Sequence, residues 1–161
     1  MLPLTIEKLD RIRAECKTMV TKAAALSGGA AVVPIAGVDI ATDIGLLLKL
    51  IPRINQRFGL SPEQIDRLDA QTRALTYNVV MAVGGQLVGK MISQRMVLGV
   101  LRKVGVRMTV DQACRYIPVV GQAAAAVLSF AAIKYIGNAH VGECYAVARR
   151  VLETKLLPPG T

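Results

Sequence analysis

Two stretches of the chain repeat one construction, and it limits what the rest can fold into. "VPIAGVDIATDIGLLLKLI", from Val33, and "IPVVGQAAAAVLSFAAIKYI", from Ile117, each place an apolar residue, a proline, two apolar residues and a glycine ahead of a long apolar run. A proline disfavours helix at the residue before it, and a glycine lets the chain turn tightly. Pro34 with Gly37, and Pro118 with Gly121, are therefore expected to form helical corners. Each unit reads as helix, tight turn, helix, with Ala/Gly faces that allow close packing.

Helix signals are dense elsewhere. "TIEKLDRIRAECKTMV" sets Ile6, Leu9, Ile12, Cys16 and Met19 at three-to-four spacing, with Thr5 as N-cap and Glu7 in the first turn. "FGLSPEQ" is a helix stop followed at once by a start. Gly59 suits the position after the helix, Ser61 and Gln64 form a capping box, and Pro62 takes the first helical position. A second box, Thr109 to Gln112, is expected to open "VDQACRYI", and "HVGECYAVARRVLETKLLPPG" closes as a helix stopped by Pro158 and Pro159. Only "TYNVVMAV" hints at strand alternation. The expectation is an all-α, compact bundle of about six to eight helices in a single domain, 1–161, built around the two Pro-x-x-Gly hairpins.

The net charge is +9 over 161 residues, and it is unevenly placed. From Gln71 to Gly142 there are eight Lys and Arg residues against the single acid Asp111, a local balance of +7. Such a bias draws a protein to polyanions. Cys16, Cys114 and Cys144 lack C-x-x-C spacing, which fits a reducing compartment better than a disulfide framework or a zinc site. "MLPLTIEKLDRIRAE" has no apolar stretch led by a basic segment, so no secretory signal is expected. Mean hydropathy is +0.44. The uncharged window Tyr116 to Ile133 reaches 18 residues, the threshold for a spanning helix, but Pro118, Gln122 and Ser129 interrupt it. Buried hairpins are favoured over spans.

"VVMAVGGQLVGKMIS" contains Gly84, Gly89 and Lys90 in the G-x-x-x-x-G-K spacing of a phosphate-binding loop, with Met91 where Ser or Thr would hold Mg²⁺. No β-α alternation follows, so nucleotide binding is disfavoured. The competing expectation is a helix in which Gly85 and Gly89 form a G-x-x-x-G packing face and Gln86, Lys90 and Gln94 share the polar side. Asp39 and Asp43 stand four apart on an apolar helix, so both carboxylates project from one face. No His or further carboxylate accompanies them, and a structural role is expected: Asp39 at a helix start, Asp43 paired to a basic residue of a neighbouring helix. His140 is the only histidine. With no G-x-S-x-G elbow, no triad can be assembled, and the chain is not expected to be an enzyme or to hold a cofactor or metal.

"KMISQRMVLGVLRKVGVRM" interleaves Lys90, Arg95, Arg102, Lys103 and Arg107 with Met91, Ile92, Met96, Val97, Val100 and Leu101. A basic amphipathic helix of this kind can lie on an anionic membrane with its apolar face inserted. The alternative is an ordinary bundle helix with a solvated positive face. Nucleic acid is disfavoured because the stretch has no aromatic residue for base stacking.

"AVVPIAGVDIATDIGLLLKLIPRINQRFGLSPEQID" resembles the C-terminal helical domain of the interferon-inducible, immunity-related GTPases. "RYIPVVGQAAAAVLSFAAIKYIGNAHVGECYAVARRVLE" is similar to the C-terminus of EcsC-type bacterial proteins. The resemblance covers roughly 23–153 and implies a stand-alone helical module of a kind associated with membranes and assembly; it does not imply GTP hydrolysis. The expected function is peripheral association with the inner face of the membrane, from the cytoplasm, or assembly of a partner complex, with homo-oligomerisation open. A membrane-active pore-forming toxin or secreted effector, and a degenerate nucleotide-binding protein, are the alternatives.

Overall fold

The computed structural model describes residues 2–3, 5–30, 38–83, 85, 87–112 and 121–156, with the backbone alone at 30, 38–41, 105–112 and 121–125. Every element among them is helical: α1 (Ile6–Ala30), α2 (Val38–Arg57), α3 (Pro62–Asp66), α4 (Ala70–Val83), α5 (Gln94–Gln112) and α6 (Gly121–Leu156). The fold is all-α. The five long helices fall slightly below the expected six to eight, and the single turn of α3 is the sixth described element. One reason is that the closing segment from His140 is continuous with the helix after the second corner, giving the 36 residues of α6. Another is that Thr109 lies inside α5 rather than capping a new helix. Of the corner residues, Gly121 opens α6, while Pro34, Gly37 and Pro118 lie outside the described residues.

Helix ends follow local chemistry. The Lys8 N–H donates to Thr5 Oγ1 at 3.2 Å, capping α1. At the end of α2 the Leu60 N–H reaches the Asn55 carbonyl at 2.8 Å and the Gly59 N–H reaches that of Gln56 at 3.2 Å. Gly59 has φ 74°, so this is a Schellman stop, with Leu60 fully buried as its apolar contact. The next residue starts α3: the Gln64 N–H donates to Ser61 Oγ while Gln64 Oε1 accepts from the Ser61 N–H. Asp69 caps α4 through the Thr72 N–H at 2.8 Å, and Ser93 caps α5 through the Met96 N–H at 3.3 Å.

The chain divides into two compact units. The first comprises Met1–Lys17, Ile51–Met91 and Ala139–Thr161. Its core holds Leu9, Cys16, Ile54, Phe58, Leu60, Ile65, Val141, Cys144 and Val147, all fully buried. The second comprises Thr18–Leu50 and Ile92–Asn138, with Val20, Ala24, Leu47, Val97 and Ile133 at its centre. Here α1 and α6 approach closely. A Cβ on Gly137 would lie 2.6 Å from Val20 Cγ1, and one on Gly28 would lie 3.1 Å from the Ala126 carbonyl oxygen. Gly137 therefore does not break α6; it makes room for α1.

The segment around Gly85 and Gly89 corrects the sequence expectation. "TYNVVMAV" is helical, the last part of α4, and that helix stops at Val83. Gly85 follows in non-helical backbone and Gly89 sits in a turn at φ +69°, so the two do not form a helical packing face. Gln94 begins a separate helix and does not share a face with Lys90. The small residues are still needed for close packing: a Cβ would meet Val88 at 2.8 Å on Gly85 and Ile65 Cδ1 at 2.8 Å on Gly89.

Candidate functional site

Asn55, His140 and Cys144 form a polar cluster inside the first unit. Asn55 sits in the last turn of α2, in the register of Ile51, Ile54 and Phe58, and is 1% exposed. His140 and Cys144 stand one turn apart on α6, so both project from the same buried face. Asn55 Nδ2 donates to the Leu87 carbonyl at 3.1 Å, which leaves Asn55 Oδ1 to accept. It does so from His140 Nε2 at 2.9 Å and from the Cys144 thiol at 3.3 Å. His140 Nε2 is therefore the donor in that contact. His140 Nδ1 is left buried without a hydrogen bond, facing Glu143 Oε2 at 3.5 Å.

A cysteine, a histidine and an asparagine in contact invite comparison with a nucleophilic triad. The electrostatics run the other way. Burial pushes the Cys144 thiol well above its ordinary range, with the Glu143 charge and Cys16 adding to the effect. A thiol nucleophile needs electropositive, partly open surroundings that depress it. Cys16, also fully buried, is pushed up to about 11 by burial. What this cluster does chemically is tie the segment after α4 to α2 and α6 through the Leu87 carbonyl. Sequence reasoning did not assemble it. The i, i+4 spacing of His140 and Cys144 was available as a signal, together with a lone amide in the apolar register of α2.

Among the described side chains, the second unit offers a surface of one sign. Arg95, Arg102 and Lys103 stand exposed on one side of α5, while Val97 and Val104 on the other are 1% and 8% exposed. None of the three has an ion-pair partner among the described residues. The apolar side of α5 is thus occupied by the unit's own core, and what the helix presents outward is charge. Lys22 and Lys49 are exposed in the same unit, and Lys134 is half-buried with its ammonium 3.1 Å from Thr21 Oγ1. Asp43, the described acid of this unit, is 8% exposed and accepts a hydrogen bond from the Ser27 hydroxyl of α1. Every charged side chain that the described part of this unit exposes is a cation. In the first unit, Lys90 and Met91 are exposed beyond the turn at Gly89. Arg107 belongs to α5 with its side chain outside the described residues, as does that of Asp39 on α2.

A cleft of about 560 Å³ in the first unit is lined by Pro3, Lys8, Arg11, Gln56 and Arg57 among others. Its charge is mixed, since Glu7 and Glu15 also line it and Arg57 pairs with Glu15. No group of three or more His, Cys, Asp or Glu side chains could hold a metal ion among the described residues. No described helix is long and apolar enough to cross a membrane. No protein-family model, curated protein or solved structure matches the chain, so its likeness to EcsC-type proteins and immunity-related GTPases rests on the quoted motifs alone.

Proposed function

We propose that this protein is a non-enzymatic helical module that associates peripherally with an anionic membrane surface. On the resemblance of its motifs to EcsC-type proteins, that surface is the cytoplasmic face of the inner membrane. The observation that supports this most is the segregation of charge among the described side chains: the second unit exposes Lys22, Lys49, Arg95, Arg102 and Lys103 and keeps Asp43 inside. Basic residues at an anionic surface contribute about 1 kcal/mol each. Arg95, Arg102 and Lys103 together would then strengthen binding by about 3 kcal/mol, roughly 150-fold. Co-sedimentation with vesicles containing phosphatidylglycerol tests this. Binding should rise with the anionic fraction, weaken with salt, and fall by about two orders of magnitude in Arg95→Gln/Arg102→Gln/Lys103→Gln. Binding indifferent to both lipid charge and salt would overturn the proposal.

Assembly with the amphipathic helix of a partner protein is the second reading, favoured by α4. Ala70, Ala74, Tyr77 and Met81 are all exposed there, at the 4-3-4 spacing of a coiled-coil seam, with Met81 82% exposed. A partner recovered by a photocrosslinker placed at Tyr77 should be lost when Met81→Lys is added; retention would remove α4 from the contact.

A further inference from the structure

The first half of α6 breaks the usual rule for a surface helix. From Gly121 to Ile133 it contains no charged residue. Its inner face is accounted for: Ile133 and Ile136 are buried and Gly137 meets Val20. On the opposite side Val127 is 66% exposed, Leu128 39% and Tyr135 54%. Val127, Ala131 and Tyr135 follow at four-residue spacing with Leu128 beside them, so they form one stripe on one face. An amphipathic helix places polar residues at such positions. This one leaves large apolar side chains uncovered, and a tyrosine ends the stripe.

We propose that this stripe is a shallow insertion edge for an anionic lipid bilayer. The inference deepens the membrane reading above and rests on it. The charge of the unit that carries the stripe decides between occupants. The same unit exposes only cations among its described charged side chains, the complement of acidic headgroups. Tyr135 carries an apolar ring with a polar tip, suited to headgroup depth, while Val127 and Leu128 suit the acyl boundary. The Lys134 ammonium lies on the α1 flank, 3.1 Å from Thr21 Oγ1 and 5.6 Å from the Phe130 ring centroid, where its stem borders the stripe. Since no described helix is long and apolar enough to span, the helix lies in the interface, with one face on its own unit and the other in lipid.

The chain contains no tryptophan, so Leu128→Trp supplies a single reporter at an exposed position. On vesicles of mixed phosphatidylcholine and phosphatidylglycerol, its emission should shift to the blue and be quenched by lipids brominated on the acyl chain. In a second variant, Val127→Asn/Leu128→Asn, both changes fall on exposed residues and leave the net charge unaltered. It should bind the same vesicles about tenfold more weakly while keeping its salt dependence. Salt-sensitive binding with unshifted emission and an undiminished Val127→Asn/Leu128→Asn variant overturns the insertion edge and leaves the electrostatic contact standing. Absence of vesicle binding overturns both. Self-association in solution that Val127→Asn/Leu128→Asn abolishes, with the chain remaining off vesicles, assigns the stripe to a second copy and overturns the lipid proposal.

Discussion

Replacing Gly137 by alanine tests the α1–α6 packing of the second unit, because two effects of known size oppose each other there. In a helix interior, Gly→Ala gains about 1 kcal/mol from backbone entropy and propensity. At Gly137 the new methyl would sit 2.6 Å from Val20 Cγ1, 2.8 Å from Cγ2 and 3.3 Å from Cβ. Val20 is fully buried and β-branched, so its side chain has almost no rotamer into which it can retreat. Overpacking of this kind costs about 1–3 kcal/mol. The net expectation for Gly137→Ala runs from neutral to about 2 kcal/mol destabilised. Gly142, five residues on in the same helix, has nothing within 4 Å of its built Cβ and is exposed. Gly142→Ala should therefore keep the whole gain of about 1 kcal/mol. Equilibrium urea unfolding resolves such differences as midpoint shifts at unchanged slope. A third variant separates clash from propensity: in a Val20→Ala background, Gly137→Ala should become stabilising, with a coupling energy above about 1 kcal/mol. If Gly137→Ala and Gly142→Ala stabilise equally in the parent chain, and no coupling to Val20 appears, the close approach of the two helices is refuted.

Other outcomes follow from the same geometry. Asn55→Leu should cost about 2–6 kcal/mol, because it removes the amide from the buried Leu87 carbonyl and leaves His140 Nε2 only its 3.5 Å contact with Cys144 Sγ, at about 1–3 kcal/mol each; amide exchange near Leu87 should rise more than that in α5. Gly89→Ala should cost about 1–2 kcal/mol, since φ +69° is left-handed backbone, and the cost should be absent at Gly99, which has open space around it. Cys16 and Cys144 should resist thiol reagents until the chain unfolds. Both thiols are raised in the folded state, so their contribution is complete below the unfolded value of 9.0 and is lost as pH climbs, for Cys16 through about 11. Alkaline melts of Cys16→Ala should therefore fall less steeply over that window than those of the parent.

Where local chemistry decides the conformation, the sequence was readable. "FGLSPEQ" predicted a stop and a start from residue types alone, and the Schellman and capping-box hydrogen bonds are both present. Where conformation depends on what lies across the core, it was not. Gly85 and Gly89 fit the period of a helix-packing motif, yet the same spacing serves a turn whose second glycine is required by a positive φ. Gly137 looks like a breaker until Val20 is placed against it. The charge bias of the middle of the chain was legible. That the apolar side of α5 is already used by Val97 and Val104, with Arg95, Arg102 and Lys103 turned outward, was not, because amphipathicity does not say which of two apolar environments a helix will meet. The Asn55 cluster was hidden for a simpler reason: Asn55 and His140 lie 85 positions apart.

The first unit is assembled from three separated stretches of chain, the earliest in α1 and the last in α6. During synthesis the packing around α1's opening turns therefore stays incomplete until the stretch from Ala139 has emerged behind it. Such long-range closure slows folding and lengthens the interval in which a nascent chain can aggregate or recruit a chaperone. An interrupted or truncated product that stops short of residue 139 would lack Val141, Cys144 and Val147 from this core, and an incomplete core is the sort of surface that quality-control proteases recognise.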